Sequence, residues 1–242
     1  MINLRSAFFT LALLSLGVVS VPTSVNAFTI VDRTGFTDTE FRGLLDQGLF
    51  DELFVAESRI GNNSGTGGER EIGINQDVNL GGLPVVQGQR TWQNGGWVDF
   101  MLEYTGSLVN YTVGGQLFST NAFSGPVTDI FLRTRAADKS TMALSNLFFN
   151  GVEIGDLFSS GSGGSDIDYL QISKISTPFT LTGKSLMSWT GTRPNNSALA
   201  YQIKVGTTPQ AESVPEPGTV GALLAAGVLS VGLKRKQKAA QS

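Results

Sequence analysis

Along most of this chain the apolar residues fall at every second position, the spacing that sets one face of a β-strand on a core and the other in water. The alternation is clearest at Val98, Phe100, Leu102 and Tyr104, and again at Leu199, Tyr201, Ile203 and Val205. Less regular runs predict further strands at 52–60, 69–74, 85–89, 108–113, 129–135, 143–149, 152–158, 169–175 and 179–189. Between two of these runs stands Asn150-Gly151, a dipeptide that readily supplies the two positive φ angles of a tight hairpin. One segment keeps a helical period instead. Thr37 and Glu40 have capping-box spacing, and Phe41, Leu44 and Leu45 share one side before Gly48, which predicts a short helix near the start of the body. Glycine-rich breaks at 61–68, 81–82, 95–96 and 161–164 part the strands at intervals suited to two packed sheets. The expected fold is all-β: an antiparallel β-sandwich, with the jelly roll as its candidate topology. No internal repeat stands out, which argues against a propeller or solenoid.

Both ends depart from this pattern. Arg5 precedes an apolar run over 7–21, followed by Pro22, Val25 and Ala27. That order describes a signal peptide, with the cut placed between Ala27 and Phe28 and signal peptidase as the processing partner. At the other end, Pro215-Glu216-Pro217 leads into an apolar, glycine-rich run over 220–233 and then into Lys234, Arg235, Lys236 and Lys238. Fourteen helical residues reach only about 21 Å, against a hydrocarbon core of about 30 Å. The basic cluster nevertheless reads as a cytoplasmic stop, lysines can snorkel, and the prolines hold an extended segment outside the membrane. A C-terminal transmembrane helix is therefore expected. The predicted organisation is a signal peptide at 1–27, an extracellular β-domain at 28–206, a linker at 207–213 and a tail at 214–242.

Composition narrows the chemistry. With neither cysteine nor histidine, the chain has no disulfide framework, no thiolate nucleophile, no Cys/His zinc site and no imidazole base. Residues 28–213 carry twelve Lys and Arg against nineteen Asp and Glu, so nucleic acid is excluded as an expected partner.

The tail resembles the PEP-CTERM sorting tail of Gram-negative bacteria and cyanobacteria, through Pro215, Glu216 and Pro217, the apolar run after them and the basic end. The resemblance implies that an exosortase, a membrane-embedded cysteine protease, recognises this motif during export. The second half of the body is similar to the choice-of-anchor extracellular domains that often accompany such tails. The residues concerned are 129–135, 144–151 and the stretch 179–205 around Ser188-Trp189. That similarity implies a surface protein of unassigned activity.

Three constellations carry candidate chemistry. Asp166 and Asp168 follow Gly163-Gly164-Ser165, with Asp156 nearby, and two carboxylates on a loop are what calcium would need; the competing reading is a solvated acidic loop. Trp92, Trp97 and Tyr111 lie among Asn94, Asp99 and Asn110, a mixture able to stack on sugar rings and bond their hydroxyls, or else to fill the core. Glu69 with Glu71, or Asp99 with Glu103, have the residue types of a glycoside hydrolase, but nothing selects a pair and no catalytic residue is assigned. The expected function is thus a non-enzymatic envelope or matrix protein, acting in adhesion, biofilm or exopolysaccharide association and needing no cofactor. A lectin-like module is the alternative and a glycoside hydrolase the third reading.

Overall fold

The computed structural model describes residues 28–61, 71–76 and 84–209. Thirteen strands among these residues form two sheets. The seven-stranded sheet runs from edge to edge through β1 (Thr29–Asp32), β11 (Asp166–Ser173), β8 (Asp129–Ala136), β13 (Leu199–Thr207), β2 (Asp51–Arg59), β3 (Ile72–Asn75) and β4 (Pro84–Gly88). The six-stranded sheet runs through β10 (Val152–Gly161), β9 (Ser140–Phe149), β12 (Phe179–Trp189), β5 (Gly96–Tyr104), β6 (Val109–Val113) and β7 (Gln116–Thr120). Every neighbouring pair is antiparallel. The order is nested: β2 lies beside β13, β5 beside β12, β8 beside β11 and β9 beside β10.

The period of two decides which side chains meet between the sheets. Val98, Phe100, Leu102 and Tyr104 of β5 face Leu199, Tyr201, Ile203 and Val205 of β13 within one buried cluster. Each such large side chain stabilises the fold by about 1.5–3 kcal/mol when fully buried. Rings meet at Phe100 with Tyr201, Phe54 with Tyr104, and Phe149 with Phe179. Hydroxyls inside this core are hydrogen-bonded, as burial requires, several of them across the gap. Tyr111 donates to Tyr201 at 2.8 Å and lies 2.8 Å from Ser58, while Thr134 and Ser159 meet at 2.7 Å. Phe28, the first described residue, rests its ring edge-on against Phe149 at 5.0 Å.

The helix α1 (Asp38–Asp46) forms as its sequence predicts, with Thr37 and Glu40 closing both bonds of a capping box. It lies on the outer face of the seven-stranded sheet, where Phe41 packs with Phe50, Phe131 and Tyr169 in a second cluster. That cover explains why β8 is buried on both faces over most of its length. The hairpin at Asn150-Gly151 also forms, with φ of 49° and 80°, and pairs Phe149 with Val152.

Two edge strands were not expected. β1 and β7 are short and half-exposed, so their sequences lack the apolar alternation that burial on one face imposes. Asp166 and Asp168 stand in β11 rather than on a loop, because pairing with Ala136 and Thr134 of β8 extends that strand. The predicted signal peptide, the sorting tail and its transmembrane helix lie outside the described residues. Among the described residues no helix is long and apolar enough to cross a membrane.

Candidate functional sites

The outer face of the seven-stranded sheet carries rows of polar side chains set by register. One row runs Ile167, Arg135, Ala200, Arg59 across β11, β8, β13 and β2; the next runs Tyr169, Arg133, Gln202, Glu57. The third brings Phe131 beside Lys204. The small side chain of Ala200 leaves a depression between two arginines, and α1 walls its other side with Asp38, Phe41 and Arg42. The resulting cavity measures about 240 Å³.

Its charges are partly tied down. Arg133 holds Asp38 with two bonds, at 2.6 and 2.5 Å, and Tyr169 donates to the same carboxylate at 2.6 Å. Arg59 donates to Ser197 at 2.9 Å, and Gln202 to Glu57 at 3.1 Å. Lys204 reaches Glu52 at 3.4 Å and lies over the Phe41 ring at 4.6 Å. Burial pushes the Lys204 ammonium below its usual pKa, and the neighbouring Glu52 carboxylate works against that fall. Burial by itself would raise the pKa of Asp38, but Arg133, Tyr169 and Lys204 together hold it below the usual carboxylate value.

A depressed folded pKa makes this carboxylate stabilising above the unfolded value, about 3.9, and that contribution disappears as pH falls through the lower folded value. We expect denaturant titrations below about pH 4 to show a steeper loss of stability in the native chain than in Asp38→Asn. Parallel curves would exclude this contribution.

A second depression lies on the outer face of the six-stranded sheet. Trp97, Ser145, Asn146 and Lys184 line a hollow of about 300 Å³. It sits where β9 and β12 slip register, with Asn146 at φ 51°. Asp156 braces the rim by accepting from the Ser145 hydroxyl at 2.9 Å and the Asn146 N–H at 3.1 Å. Trp97 is 52% exposed, and Lys184 lies 3.7 Å from Asp99.

The three aromatic residues considered for sugar stacking are thereby separated. Trp92 is 3% exposed and Tyr111 is fully buried, so neither offers a face to a ligand. The indole N–H of Trp92 is engaged with the Arg59 carbonyl at 2.9 Å and Glu71 at 3.1 Å. Burial of these rings obliges that N–H and the Tyr111 hydroxyl to find partners inside the sandwich, and both do. Trp97 alone of the three is presented to solvent.

Each of the acids considered for calcium is engaged by a hydrogen-bond donor. Asp166 accepts from the Ser160 N–H at 2.7 Å and Asp168 from the Tyr169 N–H at 3.2 Å, while Asp156 is bound to β9. Burial raises the Asp168 pKa, and the charges of Asp166 and Asp32 add to the rise. Among the described residues no group of three or more His, Cys, Asp or Glu could hold a metal ion. The cationic pocket under α1 was missed from sequence because Arg133, Arg135, Gln202 and Lys204 occupy the alternate positions of apolar strands, where a side chain ordinarily faces water. The signal available was the pair Arg133 and Arg135 two residues apart in an otherwise apolar run.

Residues 213–236 match the PEP-CTERM protein-sorting motif. The match begins shortly after β13 and takes in Pro215, Glu216, Pro217, Lys234, Arg235 and Lys236; Lys238 falls beyond it. The PEP-CTERM motif marks an exported, envelope-associated protein and implies exosortase as a processing partner. No curated protein matches the chain.

Proposed function

We propose that this chain is a non-enzymatic envelope or extracellular-matrix protein, delivered by exosortase and acting there in adhesion or exopolysaccharide association. The observation that carries the reading is the PEP-CTERM match over 213–236. Residues 220–233 hold the chain in the membrane until Pro215-Glu216-Pro217 is processed, and signal peptidase removes residues 1–27. The body is a jelly roll, a reading supported by the nested strand order in which β2, β13, β8 and β11 face β5, β12, β9 and β10. The non-enzymatic reading is supported by how its shifted carboxylates are used. Asp38 binds Arg133 and Tyr169, Asp129 accepts from Gln171 and Ser173, and Glu71 accepts from Gly61 and Trp92.

Fractionation with sequencing of the mature termini tests the delivery. The expected product starts at Phe28 in the envelope or medium and lacks the tail. A chain retaining residues 1–27 in the cytoplasm would refute export, and an Ala substitution of Pro215, Glu216 and Pro217 that leaves tail removal unchanged would refute the motif's role.

The lectin-like reading is favoured by one specific observation, the solvent-facing Trp97 beside Asn146, Ser145 and Lys184. A ring to stack on and polar groups beside it are the two parts sugar recognition requires.

A further inference from the structure

The cavity under α1 gathers charge of one sign in a protein body of the other. Arg42, Arg59, Arg133, Arg135 and Lys204 line it, against the carboxylates of Asp38 and Glu57. These are five of the twelve basic residues between 28 and 213, a stretch that carries nineteen acids. Folding brings them together from α1, β2, β8 and β13, so no local run of sequence accounts for the cluster.

Arg135 is the distinctive member. Arg133 is engaged by Asp38, Lys204 by Glu52 and Arg59 by Ser197, and Arg42 is exposed on α1, whereas Arg135 has no hydrogen-bond or ion-pair partner among the described residues and its Nε is buried. A guanidinium offers five donors in a planar fork that matches a carboxylate, and leaving buried donors unmatched is unfavourable. Arg135 and Arg59 flank Ala200 from either side in the strand register, so both forks border the same hollow.

We propose that this cavity binds the carboxylate of an acidic sugar unit, with Arg135 as the principal anion contact, Arg59 opposite it and Ala200 as the floor. A volume of about 240 Å³ admits one sugar ring with its acid group, leaving the neighbouring units of a longer chain outside the hollow. The choice of a sugar as carrier of the charge rests on the envelope reading above; the demand for an anion rests on the cavity alone. This site lies on the opposite sheet from Trp97 and is independent of it.

Titration calorimetry of the purified full chain in detergent tests the proposal, using a galacturonate trimer, a neutral galactose trimer and sodium sulfate as probes. The acidic trimer is expected to bind, to weaken as salt rises, and to lose tenfold or more in affinity in Arg135→Gln. Ala200→Leu, which fills the floor, is expected to lower affinity similarly, whereas Leu117→Ala, at an exposed position of β7 in the other sheet, leaves it unchanged. Thermal melts accompany each variant, so that loss of folding is separated from loss of binding. The proposal is overturned if the native chain does not bind the acidic trimer, if the neutral trimer or sulfate binds as tightly, or if a folded Arg135→Gln binds undiminished. Mislocalisation in the fractionation experiment with binding intact would remove the envelope reading and leave the site standing.

Discussion

Lys204→Met is expected to lower the unfolding free energy by about 3–5 kcal/mol, the range for removing one partner of a buried ion pair. Lys204 and Glu52 expose only 3% and 2% of their side chains and meet at 3.4 Å. Met fills a similar volume and can keep the contact with Phe41, so the packing loss is small. What remains is the buried Glu52 carboxylate with the Lys204 ammonium removed from beside it. The double variant Lys204→Met with Glu52→Leu removes both charges, and most of the lost stability is expected to return because neither desolvation penalty then applies. Chemical denaturation of the three proteins at neutral pH measures both steps. A loss below about 1 kcal/mol in the single variant, or no recovery in the double, would show that the two charges do not act as a pair.

The two tryptophans five residues apart should give opposite results. Trp92→Ala is expected to destabilise by about 3–5 kcal/mol, the cost of deleting a large buried ring, and Glu71 loses a donor at 3.1 Å as well. Burial already raises the Glu71 pKa, against the opposing influence of the Gly61 N–H, Arg193, Trp92 and Arg59. Without the indole it is expected to rise further. Trp97→Ala stands on an exposed face and should change stability by no more than about 0.5 kcal/mol. Its effect is expected in polysaccharide pull-downs, where retention falls severalfold if Trp97 is a stacking platform. Trp92→Ala and Trp97→Ala compared by melting and by pull-down separate core from surface roles. A native chain that retains no polysaccharide would end the lectin-like reading.

Much of the architecture was legible in the sequence for local reasons. Alternation at Val98 to Tyr104 and at Leu199 to Val205 marked the two strands that contribute heavily to the core. Asn150-Gly151 marked a hairpin because few other residues tolerate its backbone angles, and Thr37 with Glu40 marked a helix start because the capping bonds span only three residues. The sorting motif was legible for a different reason: it is a linear signal whose parts adjoin one another, and the match over 213–236 bears it out.

The candidate sites were legible only in fragments. Period two assigns a residue to one of two faces but cannot tell which face a helix will later cover, so Arg133 and Lys204 read as solvent-facing and are instead buried under or beside α1. The same blindness left Trp92, Trp97 and Tyr111 open to either a sugar-stacking or a core role. Their positions depend on partners far away in sequence: Arg59 and Glu71 for Trp92, and Ser58 and Tyr201 for Tyr111.

By itself, then, the sequence determined the all-β character of this protein, its capped helix, its tight hairpin and its sorting address, since each is written in residues within a few positions of one another. Tertiary structure alone decided which arginines share a cavity and which tryptophan meets solvent. Those outcomes depend on the register of strands more than 140 residues apart, as in Arg59 against Ala200, and on where α1 comes to rest, neither of which local spacing encodes.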